Sequence, residues 1–379
     1  MISFQPTEDE SAFVDVAKEF ANEQIRPKAR ECEENRTVSA EIVKKIEELG
    51  FSGLELPESW GGLELPLISQ VQMLQALSYG DLGVVQGLPG AGDAASLIRL
   101  DPENPAFESY KKAGEKGTWP TVAFLDATDT QAPWNEVEVG SSENGYTLRG
   151  TSEPIRLATS AEYVAVAVAD AEGETVIFWL DNGWHAAEGD YRLGLLAAGC
   201  ARVVFEGEEI TGNQVVARGE AAHELLSKAN ARIRVLQAAK EVGLMEAALN
   251  YVVEYTAGRK AFGQEIAKFQ GVSFTVAEME IQTRAAHHLV WQAAAKLDGE
   301  ASDANGASLQ ALSRAHRSVR FVTDSGVQML GGHGFVQEFP VEKWMRDAQA
   351  QVALYGRERN LTVRRGEEIL SGAKEEVAQ

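Results

Sequence analysis

The stretch GLMEAALNYVVEYTAGRKAFGQEIAKFQGVSF (243–274), followed by QMLGGHGFVQEFPVEKWMRDA (328–348), decides how this chain is read. Val235, Ala238, Val242, Met245, Leu249 and Val252 alternate spacings of three and four. That puts them on one stripe of a helix and predicts the seam of a packed bundle. Leu309, Leu312, Val319, Val322 and Met329 form a second such stripe ahead of the glycine-rich segment. Pro340 is the one proline after Val216, which suits long uninterrupted helices. Both stripes are read as core packing, because apolar seams at this spacing face a bundle interior.

Upstream, between Trp119 and about Val216, the pattern changes. YVAVAVA (163–169) alternates, VIFWL (176–180) is β-rich, and residues 201–205 followed by Ile210 read as a strand and a turn. A β-domain of short strands is expected there. Nearer the N-terminus, Thr7 and Glu10 form a capping-box pattern, after which Phe13, Val16, Ala17 and Phe20 share a helical face ending before Pro27. Ser39, the apolar set Ile42, Ile46 and Leu49, and a stop at Gly50 signal another helix. The expected organisation is a mainly α chain with a central β-domain: an N-terminal helical domain over 1–119, a β-domain over 120–216 and a C-terminal four-helix bundle over 217–379.

With 379 residues and 44% hydrophobic content, the chain can bury the cores of two or three domains. Its first residues, MISFQPTEDE, are acidic where a signal peptide is basic then apolar, and the apolar run 163–169 is too short to span a bilayer. A cytoplasmic protein without a membrane span is expected. Cys32 and Cys200 offer neither a disulfide framework nor metal-ligand spacing, and are read as unpaired thiols. The 57 acidic against 35 basic residues give a formal charge of −22, which repels polyanions and argues against nucleic acid as a partner. Any anionic ligand needs local arginines: Arg259 with Lys260, or Arg357, Arg359, Arg364 and Arg365. The latter group is interleaved with Glu358 and followed by Glu367, so it reads as a solvated or interface face. His287 and His288 are adjacent on a predicted helix and point about 100° apart, with no second cluster to complete a metal site. His333 is read as a turn histidine.

Taken in this order and spacing, RKAFG (259–263), Gln270 and QMLGGHGF (328–335) resemble the FAD-dependent acyl-CoA dehydrogenase family, and the resemblance extends over nearly the whole chain. GFSGLELPESWGG (50–62) is similar to a helix-to-loop passage of the same family. The resemblance implies oxidoreductase chemistry in fatty acid and lipid metabolism. It also implies that Arg259, Phe262 and Gln270, with Gln328, Gly331, Gly332 and Gly334, contact the adenosine diphosphate end of FAD bound mainly to a neighbouring subunit. The physical logic is that Arg259 can present a bidentate fork to a diphosphate, while glycines let backbone N–H groups approach it.

The departures from the family carry the functional expectation. The family's catalytic glutamate follows the MRDA segment, where this chain has Tyr355. A phenol of pKa ~10 is ionised to about one part in a thousand at pH 7, and general-base help is worth ~10²–10⁴-fold. Other members place the glutamate upstream, where this chain has Ile233; no catalytic residue is therefore assigned. Arg234 matches an arginine common beside the family's catalytic carboxylate and is expected to form a salt bridge or line a remnant cleft. Where the family has a Gly-rich, hydroxyl-bearing flavin loop, this chain reads LDATDTQAPW (125–134). Where the family sets Trp-Ile-Thr-Asn against the flavin ring, it has Pro154, Ile155, Arg156 and Leu157, which removes the indole and adds bulk and charge. The family's Glu-Gly-Thr-Ser becomes Tyr355, Gly356, Arg357 and Glu358. What serves the chain's own flavin is lost, and what it offers to a neighbour's FAD is kept. This implies a non-catalytic subunit of a heteromeric acyl-CoA dehydrogenase of α2β2 type, with FAD shared at the subunit interface and acyl-CoA bound by the complex. Two alternatives stand beside it: a complete dehydrogenase or oxidase with a displaced base, and a self-associating scaffold without cofactor.

Overall fold

The structure, a computed structural model, describes residues 8–378 except 116, 129–135, 143–144, 188–190 and 357. Helices α1 (Glu8–Phe20), α2 (Arg26–Asn35), α3 (Ala40–Glu48), α4 (Leu67–Gly80), α5 (Leu82–Gln86), α6 (Ala95–Leu100) and α7 (Glu108–Gly114) come first. Thr7 lies outside the described residues. In the α1 stripe Ala17 and Phe20 are buried among residues of α3 and α4, whereas Phe13 and Val16 are exposed. Helicity does not stop before Pro27 as expected. A π-turn over Ala21–Ile25, closed by the Arg26 N–H on the Ala21 carbonyl, leads straight into α2, and Pro27 sits just past this wider turn, which accommodates a residue without an N–H. Ser39 caps α3 by accepting from the Ile42 N–H at 3.4 Å, and Gly50 follows at φ 75°, a left-handed position that favours glycine.

Among the described residues eight strands follow: β1 (Val122–Ala127), β2 (Glu138–Ser141), β3 (Gly145–Thr151), β4 (Tyr163–Ala169), β5 (Thr175–Leu180), β6 (His185–Ala187), β7 (Arg202–Thr211) and β8 (Val215–Arg218). They form two four-stranded sheets, β1-β4-β5-β8, with β1 and β4 parallel, and the antiparallel β2-β3-β7-β6. The alternation in β4 has a packing meaning. Val164, Val166 and Val168 face the second sheet's Leu148, Val203 and Phe205, while Ala165 and Ala167 face Leu97, Phe107 and Tyr110 of the helices. The expected turn between Phe205 and Ile210 is absent. β7 runs through as one ten-residue strand, because Gly207 at φ 98° lets it absorb a register shift against β3 next to Arg149.

The C-terminal helical domain holds α8 (Gly219–Gly258), a hairpin of β9 (Lys260–Ala261) and β10 (Gln264–Glu265), α9 (Gln270–Asp298), α10 (Ala304–Leu330), α11 (Val341–Leu354) and α12 (Glu358–Ala378). Every seam residue of α8 is buried, as are Leu309, Leu312, Val319 and Val322 of α10, with Met329 half-buried at its end. The bundle core also takes in α4 from the N-terminal part. Gly243 lies so close to α4 that a Cβ there would sit 2.2 Å from the Gln75 carbonyl. Two further ties cross between the parts of the chain. Asp298 at the end of α9 accepts from the N–H groups of Leu67 and Ile68 at 2.8 and 2.9 Å, and Arg232 of α8 is bidentate to Glu55 at 2.6 and 2.9 Å. Among the described residues, no helix is long and apolar enough to cross a membrane.

Candidate functional site

Tyr355 closes α11, with its hydroxyl turned inward to donate to Asp93 Oδ2 at 2.8 Å. Arg156, on the segment after β3, reaches the same carboxylate as a fork: Nε to Oδ2 at 3.1 Å and Nη2 to Oδ1 at 2.8 Å. Its Nη1 donates to the Gln86 carbonyl at 3.1 Å. Gln237 of α8 adds an N–H to Asp93 Oδ1 at 2.7 Å. Around this centre the Gln86 amide donates to Gln237 and Gln351 at 2.7 and 2.6 Å, and Lys240 Nζ donates to Gln86 Oε1 at 2.9 Å. Ile233 is buried one helical turn before Gln237 and supplies only hydrocarbon to that face of α8. The structure thus brings together Arg156 and Tyr355, from the family's flavin-ring and base positions, on one aspartate.

The electrostatics follow from this closure. Burial pushes Asp93 up, but the Arg156 guanidinium overrides it and holds the carboxyl at about 2. Burial pushes the Tyr355 phenol well above its usual range, so it stays a neutral donor. Burial, with the charge of Arg156 added, drives Lys240 down to about 7. Asp93 is ionised and already accepts from four donor groups, which makes it a poor proton acceptor. Arg234, expected to form a salt bridge or to line a remnant cleft, makes no salt bridge among the described residues. Its Nη1 donates to Asn305 Oδ1 at 2.9 Å and Ser308 Oγ at 3.2 Å, and burial lowers its pKa to about 10. Of the altered loop 125–134, residues 129–134 lie outside the described residues; Asp126 accepts from Thr128 and Asn230 at 2.6 and 2.8 Å.

The C-terminal end of α8 is built differently. The Tyr255 hydroxyl lies 2.9 Å from His333 Nδ1, and His333 stacks on Phe339 at 4.6 Å, so the end of α8 meets the turn that follows α10. Arg259 comes immediately after α8. Its N–H donates to the Tyr255 carbonyl and its carbonyl accepts from Ile266, both at 2.9 Å, while its guanidinium is exposed with no partner among the described residues. Phe262, at the hairpin tip, is 97% exposed and held at φ 51°. Gln270 opens α9, and Gln328 lies in the last turn of α10; both are exposed. Gly331, at φ 57° and ψ −129°, adopts a conformation that glycine tolerates best, and a Cβ on Gly331 or Gly332 would meet nothing within 4 Å. Gly334 differs: it is buried, and a Cβ there would lie 2.2 Å from the Val327 carbonyl, so packing against α10 already demands a glycine.

The other singled-out residues are quieter. Arg359 lines an open groove of about 680 Å³ between α10, α11 and α12, with Arg320, Gln349, Glu358 and Thr362. Arg365 pairs with Glu368 at 3.2 Å, Arg364 is exposed, and Arg357 lies outside the described residues. His287 is half-buried 4.8 Å from the Trp291 ring, and burial pushes its pKa to about 4. Cys32 and Cys200 are free, buried thiols. Among the described residues no three His, Cys, Asp or Glu side chains gather as a metal site.

Residues 7–99 match the acyl-CoA dehydrogenase N-terminal domain and residues 225–360 the acyl-CoA dehydrogenase C-terminal domain. The chain is 27% identical to a 3-(aryl)acrylate reductase of Clostridium sporogenes over 92% of its own length and 95% of that protein's. It is 26% identical to a benzylmalonyl-CoA dehydrogenase of Aromatoleum aromaticum over 92% and 94% of the two chains. A chain solved in work on the electron transferring flavoprotein of Acidaminococcus fermentans superposes with a TM-score of 0.85 at 25% identity, covering 97% of this chain and all of that one. Butyryl-CoA dehydrogenase of Megasphaera elsdenii shares the fold, with a TM-score of 0.82 at 24% identity over 97% and 100% of the two chains. The chain belongs to the acyl-CoA dehydrogenase family. That family is FAD-dependent.

Two regions answer differently to that cofactor. The Arg156–Asp93–Tyr355 cluster does not fit a flavin ring: a buried guanidinium fills the position, and its carboxylate partner has no acceptor capacity to spare. The end of α8 fits a diphosphate, with an exposed guanidinium that has no partner among the described residues and two open glycines. Sequence reasoning missed Asp93, Gln86, Gln237, Lys240 and Gln351. It also missed a fully buried pair in which His316 Nδ1 lies 2.8 Å from Glu241. One signal was available: Gln237, Lys240 and Glu241 are polar residues interrupting the apolar seam of α8.

Proposed function

We propose that this chain is the non-catalytic subunit of a heteromeric FAD-dependent acyl-CoA dehydrogenase. It lends an adenosine diphosphate half-site to FAD held by a catalytic partner. The observation that carries this reading is the joint engagement of Arg156 and Tyr355 with Asp93, which occupies the chain's own crevice with a closed ion pair. Arg259 would hold the diphosphate, Gln270 and Gln328 would meet the adenosine half, Phe262 would pack against it, and the Gly331–Gly332 backbone would approach it. Gly334 would shape that turn from beneath. When bound, FAD supplies hydride acceptance; the catalytic base comes from the partner. The domain limits 1–119, 120–216 and 217–379 belong to the same proposal. The relatives named as an aryl-acrylate reductase and a benzylmalonyl-CoA dehydrogenase support an acyl-CoA or related unsaturated acid as substrate of the complex.

The second reading, a complete enzyme with a displaced base, draws on Asp93, the carboxylate that accepts from Tyr355 at the base position. Its pKa of about 2 and its four donors speak against that role. The absorbance spectrum separates the readings. The chain purified alone should be colourless or strongly substoichiometric in FAD, and flavin should be stoichiometric only in complex with a catalytic chain. A full flavin spectrum from the isolated chain, or turnover of a saturated acyl-CoA by it, would overturn the proposal.

A further inference from the structure

We infer that Arg156 is an internal clamp, a guanidinium that joins the three structural parts of this chain across the crevice and keeps them closed with no bound cofactor. The inference concerns the isolated chain and does not depend on a half-site at the end of α8.

The geometry is that of a ligand-binding site whose ligand is a side chain. Arg156 departs from the β-domain. Its Nη1 ends on the carbonyl of Gln86, the last residue of α5, and its fork ends on Asp93 in the 3₁₀ turn before α6. Asp93 in turn collects Gln237 from the middle of α8 and Tyr355 from the end of α11. One guanidinium and one carboxylate therefore connect N-terminal helices, β-domain and C-terminal helices. The fit is close. Gly92, at φ 55°, passes so near that a Cβ would lie 3.2 Å from Arg156 Nη2 and 3.1 Å from the Val122 carbonyl. A fork-to-carboxylate pair has directional demands that an ammonium cannot meet, so the site discriminates guanidinium from other cations. Removing one partner of such a buried pair strands the other charge, which is why the arrangement is held as a whole or not at all.

The test uses the full-length chain alone. Arg156→Ala should lower the melting temperature by about 5 °C. Low-millimolar guanidinium chloride should recover part of that loss, beyond potassium chloride of equal ionic strength, while leaving the wild type unmoved. An Asp93→Ala, Arg156→Ala double variant, which offers no carboxylate to the free cation, should show no recovery. If Arg156→Ala accumulates only when guanidinium is present during purification, the clamp is equally supported. If it accumulates under no condition, Arg156→Lys decides: a lower melting temperature than wild type supports the clamp. Melting of Arg156→Ala or Arg156→Lys with the wild type, or recovery no better with guanidinium than with potassium, overturns it.

Discussion

Arg156 lies 8% exposed with its fork on Asp93 and a third nitrogen on Gln86, whereas Arg259 stands in solvent at the end of α8 with its backbone fixed and its guanidinium unpartnered among the described residues. Ion burial costs several kcal/mol per charge unless the pairing is complete, while a solvated arginine carries almost no such cost. The two regions should therefore report through different observables. Changes at the crevice are expected in the stability of the isolated chain. Changes to the exposed residues at the end of α8 are expected only in what the chain binds.

Tyr355→Glu should be the most damaging way to challenge that contrast. It restores the family's residue type, but beside an ionised Asp93 to which Tyr355 donates at 2.8 Å. We expect a loss of about 3–5 kcal/mol at pH 7, from a second buried carboxylate against the first, and no turnover of acyl-CoA. Like charge and burial raise the folded-state pKa of the new glutamate. The loss should therefore shrink as the pH is lowered toward its unfolded value of about 4.3. Urea melts at two pH values and an acceptor-reduction assay check this; undiminished stability would mean that the crevice is looser than its distances show.

Lys240→Met sharpens the same side. Burial holds Lys240 near 7 in the folded chain, against 10.5 for a freely solvated lysine. Between those values the unfolded chain binds the extra proton, so wild-type stability should rise with pH across that window. The penalty is fully present below about 7. The rise should amount to about 3 kcal/mol between pH 7 and 9.5 and should vanish in the Met variant. Parallel pH profiles for the two proteins would show that Lys240 is not held neutral.

On the other side, Arg259→Ala should leave the melting curve within about 0.5 kcal/mol of wild type. In a deflavinated complex with a catalytic chain, the same change should weaken FAD binding roughly ten-fold to a hundred-fold, the worth of a charge-assisted hydrogen bond of about 1.5–3 kcal/mol. Equal affinities with an intact assembly would remove the main support for a half-site. The smallest effect separates neighbouring glycines. Gly334→Ala should cost about 1–2 kcal/mol through overpacking against Val327, while Gly332→Ala should be silent in the isolated chain to within about 0.5 kcal/mol.

Much of this was legible in the sequence, for physical reasons. The seam of α8 was readable because a helix that buries one stripe repeats it every three or four residues, and the Val/Ala alternation of β4 because its two faces meet different partners. Pro27 was misread because proline ordinarily breaks a helix interior, and nothing local shows that a π-turn just ahead of it lets the helix continue. The run after Phe205 looked like a turn because its glycine and acidic residues have low strand propensity, yet cross-strand pairing kept it extended. Arg156 was visible as bulk and charge, but not its destination. Asp93 sits in Gly-Ala-Gly-Asp, a context equally suited to a surface turn, and nothing local shows that it meets Arg156, Gln237 and Tyr355 from three distant segments.

The uninterrupted length of α8 has a consequence for how such a chain can change over generations. The helix carries Gln237 and Lys240 at the crevice and Tyr255 near its far end, and at 1.5 Å per residue Gln237 and Tyr255 are separated by about 27 Å along the axis. Substitutions that far apart, with no shared partner, add independently. A lineage could therefore rewrite the middle of this rod, exchanging a reaction centre for an ion pair, without disturbing the shape presented at its end. Inheritance of the two regions is uncoupled by distance alone.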